Sequence, residues 1–418
     1  MNLWIAEVEL GESSVPFGVS RPRRADDAAA RALVRLHRQP LGFVTIPLTT
    51  DELDTGTVLA AIQAQLGPRL AAHLEGDGLD VGALGGGHGE GLPCRPPAGS
   101  VDISVVVCTR DRPAVLRTCL ERLRRLDYPN LEVVVVDNAP TSDDTHQCFT
   151  AVVGDDERFR YVCEPGPGLS RARNRGLAEA TRRHVAFTDD DVQVDPWWLD
   201  GIAAGFAGDA GVGCVTGLVP PAELEHPTQH YFDRRYSWAR AMDRHEYDLT
   251  SGRALSPLYP YSAGIFGTGA NFAVDRAFFL GLGGFDEALG AGSPARGGED
   301  LDAFVRVLLA GRTLVYEPSA IVWHVHRADD AALRRQLFAY GLGLTAFLTK
   351  YAIGRDTRRD ILGRLPAGAR RIPQLWSPQE ISGPAPRSLV AAEALGMLAG
   401  PPAYMRGRRR LRRATATE

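Results

Sequence analysis

Short apolar runs of strand length alternate with helical segments through the middle of the chain. The runs cover residues 103–108, 131–136, 160–163 and 184–187. Helical patterns lie between them, over residues 113–125, 141–153 and 169–180. Strands that are apolar on both faces are typical of a parallel sheet with helices covering each side. The pattern therefore predicts an α/β fold built on a doubly wound, mostly parallel sheet.

Four segments of different composition divide the chain. Residues 1–75 combine strand-like runs with a helical stretch and predict a small N-terminal α+β module. Residues 76–100 are rich in glycine and proline, which is typical of a linker. The alternating pattern then continues, less regularly towards its end, over residues 101–330. Residues 331–418 predict a helical C-terminal extension with a basic tail.

The composition is that of a folded globular protein with no charge pattern for nucleic acid. Hydrophobic residues make up 44% of the chain and charged residues 23%, with a net charge of −4. The six cysteines form no CxxC pair, so a reducing cytoplasm fits and no disulfide framework is indicated. There is no signal pattern and no apolar run of membrane-spanning length, so we predict a cytoplasmic protein without a transmembrane helix.

Polar side chains follow the predicted strands where each strand ends. In a parallel sheet these ends meet at one edge, and ligands of such sheets bind there. We therefore expect the side chains to lie close together. In chain order they are Thr109, Asp111, Asp137, Asp189, Asp190 and Asp191.

The acidic triplet at 189–191 suggests a bound cation. Like charges at a strand end are unfavourable unless something positive lies among them, and hard divalent cations prefer carboxylate oxygens. On an extended chain Asp189 and Asp191 point the same way, while Asp190 faces elsewhere. The triplet alone is equally compatible with a solvated acidic turn or a helix N-cap before Pro196.

Six motifs occur in an order that resembles a known family. They are VVVCTRDR at 105–112, VVDN at 135–138, GLSRARNRG at 168–176, FTDDDV at 187–192, GEDLD at 298–302 and WHVHR at 323–327. The chain resembles the family 2 glycosyltransferases, which are inverting enzymes of the GT-A fold that use nucleotide-sugar donors. The resemblance covers residues 101–330 and implies a GT-A-like sheet.

The resemblance implies a nucleotide pocket at the first two strand ends. Asp111 and Asp137 would accept hydrogen bonds from the base and the ribose, because a carboxylate accepts what an imide or hydroxyl donates. Thr109 would line the same pocket, and Asp190 would lie beside it. The alternative for Asp111 is to cap the helix that begins at Pro113.

Two further residues are implied to contact the donor. Arg173 follows Gly168, where the backbone can approach a ligand, and its guanidinium would reach the diphosphate. Asn271 stands where related enzymes contact the donor sugar. The alternative for Arg173 is a surface position paired with Glu179 or Asp190.

The resemblance also implies a metal site. Asp189 and Asp191 match the family's DxD motif, with Asp191 as the direct ligand and Asp189 nearer the ribose or a metal-bound water. His324 and His326 stand where related enzymes place a metal-binding histidine. A carboxylate-rich donor set favours Mn²⁺ or Mg²⁺ over zinc. The alternative is that each histidine is a buried structural residue.

Asp300 is implied to be the general base, with Glu299 beside it. An inverting transfer is a single displacement, so one base must take the proton of the acceptor hydroxyl. Residues alone favour another interpretation, since acidic side chains are common in the first turn of a helix. Asp302, two positions further on, is expected to be structural.

The acceptor side is less defined by sequence. Tyr231, Tyr236 and Trp238 are predicted on one helix and would offer a stacking face to a sugar, or belong to the core. Near the C-terminus, an apolar stretch at 389–405 precedes six arginines within residues 406–413. This tail would hold the protein peripherally on an anionic membrane, or is a packed helix with a solvated end.

These observations predict a metal-dependent inverting glycosyltransferase. The donor would be a UDP-sugar by default, with GDP- and dTDP-sugars left open. The acceptor would be a glycan, a lipid-linked sugar or a small molecule. The alternatives are a nucleotidyltransferase of sugar phosphates and a non-catalytic nucleotide-sugar- or carbohydrate-binding protein.

Overall fold

The fold is taken from a computed structural model, which describes most of the chain. The described residues are 2–10, 13–48, 54–78, 101–236, 238–239, 241–370 and 386–414. The predicted linker at 76–100 lies outside the described residues from position 79 onwards.

The N-terminal segment forms a four-stranded sheet backed by one helix. Its strands are β1 (Leu3–Leu10), β2 (Ser13–Gly18), β3 (Ala29–Leu36) and β4 (Gln39–Pro47), in the order β2-β1-β3-β4. Helix α1 (Thr55–Gly76) packs its apolar face on this sheet through Val58, Ile62 and Leu70. The other face of the sheet packs against the larger part of the molecule, where Ile5 and Leu33 join a core cluster with Ile321 and Trp323.

The first half of the large sheet is parallel. It contains β5 (Ile103–Thr109), β6 (Glu132–Asn138), β7 (Phe159–Glu164) and β8 (His184–Asp189), in the order β8-β5-β6-β7. The helices between these strands are α2 (Pro113–Arg124), α3 (Asp144–Val153) and α4 (Leu169–Glu179). Each strand is apolar on both faces because helices cover the sheet on each side.

The second half of the sheet is mixed. Its strands are β9 (Val192–Val194), β10 (Val212–Leu218), β11 (His245–Tyr247), β12 (Asn271–Asp275) and β13 (Thr313–His324). Strand β12 runs antiparallel to both β8 and β10. Asn271, the first residue of β12, pairs with Thr188 near the carboxyl end of β8, so β12 begins at that edge and runs back from it. The predicted α/β class with a central sheet is confirmed, with an antiparallel strand at its centre.

Helices complete both sides of the mixed half and form the C-terminal region. They are α5 (Trp198–Phe206), α6 (Pro227–Tyr236), α7 (Arg276–Gly281), α8 (Glu299–Leu309), α9 (Asp330–Ile353), α10 (Arg358–Ala369) and α11 (Arg387–Ala414). Helix α6 ends at Tyr236, so Trp238 lies just beyond the helix that was predicted to carry it. No helix among the described residues is long and apolar enough to span a membrane.

Helices α9 and α11 approach each other closely. A Cβ on Gly341 of α9 would lie 2.1 Å from the carbonyl oxygen of Glu393, and one on Gly396 of α11 would lie 2.1 Å from that of Phe338. Only glycine fits at these two points, because the backbones themselves are in contact. We call this contact the glycine seam.

A buried charged cluster joins the N-terminal sheet to the large one. Arg35 of β3 lies 3.1 Å from Asp195 and 3.5 Å from Glu9, and it also contacts the carboxylate of Glu7. Burial raises the pKa of Glu7 to about 8, and Asp195 adds to the rise while Arg35 opposes it. A carboxyl with a raised pKa is most favourable in the folded state when it carries its proton.

Stability is therefore predicted to depend on the pH through Glu7. Its contribution is complete below the ordinary pKa of 4.5 and is lost as the pH rises through about 8. Glu7→Gln keeps an acceptor for Arg35 without the charge, so its free energy of unfolding should fall less between pH 5 and pH 8 than that of wild type. Urea unfolding at both pH values measures this, with Glu75→Gln on the exposed face of α1 as the control. An equal fall in the free energy of unfolding between the two pH values in wild type and Glu7→Gln would contradict the prediction.

Candidate active site

Two adjoining cavities open at the carboxyl edge of the large sheet. The smaller has a volume of about 280 Å³ and a mostly polar, charged wall. The larger has a volume of about 490 Å³ and a wall with several aromatic side chains. Leu169, Asp189 and Ala291 line both, so the cavities meet at the end of β8. We call them the polar cavity and the aromatic cavity.

The acidic triplet forms the floor of the polar cavity. Asp190 accepts a hydrogen bond of 2.7 Å from the Thr109 hydroxyl and forms an ion pair with Arg112. Burial raises the pKa of Asp190 to about 6, although the positive charge of Arg112 opposes the rise. Residues 190 and 191 form a turn between β8 and β9, so the expected alternation of an extended chain does not hold there, and Asp190 lines the same cavity as Asp189 and Asp191.

Asp191 lies among three cationic or basic side chains. Its Oδ2 accepts hydrogen bonds from Arg112 at 3.0 Å and Arg327 at 3.2 Å. Its Oδ1 lies 3.7 Å from Nε2 of His324. Burial opposes the charge of Asp191, yet His324, Arg112 and Arg327 together hold the pKa of this carboxyl below its usual value. Asp191 is therefore the member of the triplet whose surroundings most favour the ionised form.

Arg173 connects the triplet to the start of helix α8. Its side chain is buried and donates to Asp189 at 3.2 Å, to Glu299 at 3.0 Å and to the carbonyl oxygen of Gly269 at 2.9 Å. The interpretation of Arg173 as a surface residue is therefore wrong. Burial raises the pKa of Glu299 to about 7, and its neighbour Asp300 adds to the rise.

His324 and His326 are in contact, but only one of them reaches a cavity. Their Nδ1 atoms lie 3.1 Å apart, and His324 lines the aromatic cavity. His326 is buried against Phe232, and burial lowers the pKa of His326 well below its usual range. Nε2 of His324 can offer its lone pair to an ion beside Asp191 only if Nδ1 of His324 carries the proton. That N–H would then donate to Nδ1 of His326.

Asp300 lies in the first turn of α8 with its carboxylate at the wall of the aromatic cavity. Its Oδ2 accepts from the backbone N–H of Gly269 at 2.8 Å, and its Oδ1 accepts from the N–H of Leu301 at 2.8 Å. Gly298, the residue before the helix, has a φ of +86° and meets the backbone of α9. This left-handed conformation, which glycine adopts without strain, sets the direction in which α8 begins.

The wall opposite Asp300 is formed by aromatic and C-terminal residues. Tyr236, Trp238 and Tyr340 line the aromatic cavity, and Glu393 of α11 also reaches it. Glu393 accepts a hydrogen bond of 2.9 Å from Arg235, which fixes α11 to the end of α6. Tyr231 is buried in the core and lines neither cavity.

Three residues that were predicted to contact the donor, Asp111, Asp137 and Asn271, line neither cavity. Asp111 is on the surface and accepts the N–H of Thr141 at 2.9 Å, so it caps a neighbouring loop rather than helix α2. Asp137 is buried and accepts a hydrogen bond of 2.6 Å from Tyr161. The adjacent Asn138 lines the polar cavity in its place.

Asn271 is buried at the centre of the mixed half of the sheet. Its amide donates to the carbonyl oxygens of Leu218 at 3.0 Å and Ala320 at 2.7 Å, and its Oδ1 accepts from Trp198 at 2.8 Å. These bonds join β10, β12, β13 and α5. The structure places this side chain in the core, beneath the site.

Asp302 is structural, as expected. It is fully buried and accepts hydrogen bonds from Lys350 at 2.9 Å, Arg306 at 2.8 Å and Tyr351 at 3.0 Å. Lys350 is the only lysine in the chain, and it joins helix α9 to α8 through this carboxylate.

Sequence reasoning missed several residues of the site. Arg112 and Arg327 could have been found from the sequence, because each is next to a residue that was assigned a role. Neither was assigned a role itself. Tyr340 and Glu393 had no such signal, because each lies on a long helix outside the motifs. Their part in the site arises only from how α9 and α11 pack.

Comparisons with known sequences identify the family to which this chain belongs. The family profile described as "Glycosyl transferase family 2" matches residues 104–264. The succinoglycan biosynthesis protein ExoM of Rhizobium meliloti is 30% identical over 257 residues, which cover 59% of this chain and 74% of that protein. The chain belongs to glycosyl transferase family 2. The matched region contains the parallel half of the sheet and the acidic triplet.

Other members of the family are similar over part of their length. The pre-mycofactocin glycosyltransferase of Mycobacterium tuberculosis is 30% identical over 237 residues. The match covers 56% of this chain, which spans just under half, 45%, of that relative.

Likeness to solved structures is loose and concerns the fold alone. A mannosyltransferase from Pyrobaculum calidifontis, in complex with GDP-Man and Mn²⁺, has a TM-score of 0.44 at 22% identity, with 77% of each chain covered. Glucosyl-3-phosphoglycerate synthase from Mycobacterium tuberculosis, in complex with Mn²⁺, UDP and glucosyl-3-phosphoglycerate, has a TM-score of 0.39 at 17% identity. That likeness covers 60% of this chain and 79% of the synthase.

The donor set at the triplet fits a divalent cation. Oδ1 of Asp191 and Nε2 of His324 face each other at 3.7 Å, a separation that two ligands of one ion can adopt with little movement. The carboxylate of Asp189 pairs with Arg173 and does not come within 4.8 Å of both of these ligand atoms. A carboxylate-rich set with one imidazole suits Mn²⁺ or Mg²⁺.

The structure predicts that Asn271 contributes to stability rather than to donor binding. Asn271→Ala leaves two carbonyl oxygens and one indole N–H buried without partners, so the free energy of unfolding should fall by about 3 kcal/mol or more. Trp198→Phe removes one of the three bonds and should have a smaller effect. Urea unfolding measures both. A stable Asn271→Ala protein that fails to bind nucleotide sugar would instead favour the direct contact.

Proposed function

We propose that the protein is an inverting glycosyltransferase that depends on a divalent metal and uses Asp300 as its general base. It would move a sugar from a nucleotide-sugar donor to an acceptor hydroxyl. The observation that carries this proposal is the position of the Asp300 carboxylate. It is fixed by two backbone N–H groups at the wall of the aromatic cavity, which adjoins the polar cavity at Asp189.

The reaction needs one base and no protein nucleophile. The acceptor oxygen forms a bond to the anomeric carbon while the bond from that carbon to the diphosphate oxygen breaks. Asp300 takes the proton of the acceptor hydroxyl, and the nucleoside diphosphate leaves with the electron pair. The N–H groups of Gly269 and Leu301 each use one lone pair of the carboxylate and leave others for the acceptor. They also hold it in one orientation.

The donor would lie in the polar cavity. Asp191 and His324 would hold the metal, with Asp189 beside them. A divalent cation bound there would take up negative charge on the departing diphosphate. Arg112 and Arg327 add two positive charges on the same side of Asp191.

The nucleotide would continue along the wall formed by β5 and β6. Thr109, Arg110 and Asn138 line this part of the cavity. Asp111 and Asp137 remain our candidates for contact with base and ribose, although both would need to turn from their present partners. We propose a UDP-sugar as the first donor to test.

A surface stripe on α11 supports a lipid-linked acceptor. Residues 391, 395, 398, 402 and 405 recur every three or four positions and are all exposed. Three of them are large and apolar: Leu395, Leu398 and Met405, which are 59, 76 and 38% exposed. On a water-facing helix surface these positions are normally polar.

The apolar stripe runs directly into the arginine-rich end of the same helix. Apolar side chains would enter the acyl boundary of a membrane, and each arginine near an anionic surface adds about 1 kcal/mol of attraction. The same helix reaches the aromatic cavity through Glu393. We propose peripheral contact with the inner face of a membrane, which would bring a lipid-linked acceptor to this cavity.

Asp300→Asn is expected to abolish turnover while keeping the donor bound. Loss of a general base lowers the rate by about 100- to 10,000-fold, whereas asparagine can still accept the N–H of Gly269. Nucleotide release and donor binding are measured over UDP-, GDP- and dTDP-sugars, with Mn²⁺ and with EDTA. Asp191→Asn, in the metal site, is the matched comparison and should weaken metal-dependent donor binding itself.

The same panel separates the alternatives. Donor binding without turnover in wild type and Asp300→Asn alike, in the presence of candidate acceptors, would favour a binding protein. Release of pyrophosphate from a nucleoside triphosphate and a sugar phosphate would favour a nucleotidyltransferase. No binding of any nucleotide sugar would contradict the proposed function.

Charge and apolar contact on α11 are predicted to act together at membranes. Wild type should sediment with vesicles that contain anionic lipid and much less with neutral ones. Leu395→Asp with Leu398→Asp should lose most of this binding. Leu59→Asp, at an exposed leucine of α1, is the control and should bind as wild type does. Binding unchanged by the paired substitutions would contradict the contact.

A further inference from the structure

Two histidines and an aspartate converge at one end of the N-terminal sheet, far along the chain from the family motifs. Oδ2 of Asp77 lies 3.0 Å from Nδ1 of His37 and 3.3 Å from Nε2 of His73. Among the described residues, these three are the one group of metal-ligating side chains whose ligand atoms all lie within 4.8 Å of one another. Their side chains are only 8, 18 and 10% exposed for His37, His73 and Asp77.

The three residues come from separate elements. His37 is in the two-residue turn between β3 and β4, His73 is in the last turn of α1, and Asp77 follows that helix. A carboxylate at the C-terminal end of a helix is unfavourable, because the helix dipole is negative there. A positive charge held against Asp77 therefore has a structural reason.

The turn that carries His37 is itself unusual. His37 and Arg38 both have positive φ, at 52° and 69°, a left-handed conformation that costs non-glycine residues about 1 kcal/mol or more each. The conformation directs His37 towards α1, and it places the guanidinium of Arg38 over the ring of Trp197, 3.0 Å from its centre. The turn thus contacts the end of α1 through His37 and contacts Trp197, in the larger part of the molecule, through Arg38.

We propose that His37, His73 and Asp77 bind a zinc ion that ties helix α1 to the β3–β4 turn. Two imidazole nitrogens and one carboxylate oxygen are a common donor set of zinc. Donor atoms bonded at about 2.0 Å around a tetrahedral ion lie about 3.3 Å apart, which is close to both distances to Asp77. The fourth position would hold a water molecule. This ion is separate from the one that we place at Asp191 and His324.

Such an ion would be structural. It would hold Asp77 and the two histidines together through bonds to one ion. It would also join two points of the chain about 40 residues apart, so metal binding and folding of the N-terminal segment would be linked. Because Arg38 belongs to the same turn, the ion would also help to keep this segment in place against Trp197.

Metal content and the cobalt spectrum test the site without using activity. The untagged full chain is stripped with a chelating resin, dialysed against micromolar Zn²⁺ or Co²⁺, and examined for bound metal by mass spectrometry and for visible absorption. The variants are His73→Gln and Asp77→Asn at the proposed site. Asp191→Asn removes a ligand of the catalytic site, and His146→Gln changes an exposed histidine that pairs only weakly with Asp143 at 3.6 Å.

We expect about one zinc per chain in Asp191→Asn, which lacks the other proposed site, and about one zinc fewer in His73→Gln and Asp77→Asn than in wild type and His146→Gln. The cobalt form should absorb strongly in the visible region, as tetrahedral cobalt does, and only when the site is intact. If the two site variants fail to fold, zinc should still raise the melting temperature of wild type and of Asp191→Asn equally. Equal zinc in site variants and wild type, or no zinc and no thermal shift in wild type, would overturn the proposal.

Discussion

The guanidinium of Arg173 holds the edge of the large sheet together. From helix α4 it reaches the end of β8 at Asp189, the start of α8 at Glu299 and the loop before β12 at Gly269. Without it, the buried carboxylate of Glu299 would lie near that of Asp189 with no counter-charge, which is strongly unfavourable. The position of Asp300 depends on the same contact, because Gly269 also donates its N–H to that carboxylate. The buried arginine thus connects Asp189, which lines both cavities, to Glu299 and Gly269 in the wall of the aromatic cavity.

The N-terminal sheet is attached by a second buried arginine. Arg35 lies among Glu7, Glu9 and Asp195, so the junction is built on charge as well as on apolar packing. Buried charges require matched geometry, and this junction therefore defines one orientation of the N-terminal sheet. The N-terminal sheet lies against β13, the strand that ends at His324. The placement of the N-terminal sheet is therefore connected to the proposed metal site.

Sequence reasoning succeeded where a local pattern determines the structure. Apolar runs placed β5, β6 and β8, and the rule that ligands bind at strand ends brought the acidic triplet to the cavity. It could not foresee the contacts that packing between distant segments creates. Asn271 and Asp137 end or begin strands, as ligand residues do, but neighbouring elements cover them and use their polar atoms. The contribution of Tyr340 and Glu393 required the packing of α9 on α11, for which no local signal exists.

The glycine seam gives the C-terminal helix a mechanical role. At Gly341 and Gly396 backbone rests on backbone, so no side chain separates α9 from α11 at these two points. Helix α11 carries Glu393 and α9 carries Tyr340, and both belong to the wall of the aromatic cavity. A displacement of α11 against α9 would therefore also displace that wall. Contact between the outer surface of α11 and another body would in this way change the shape of the aromatic cavity.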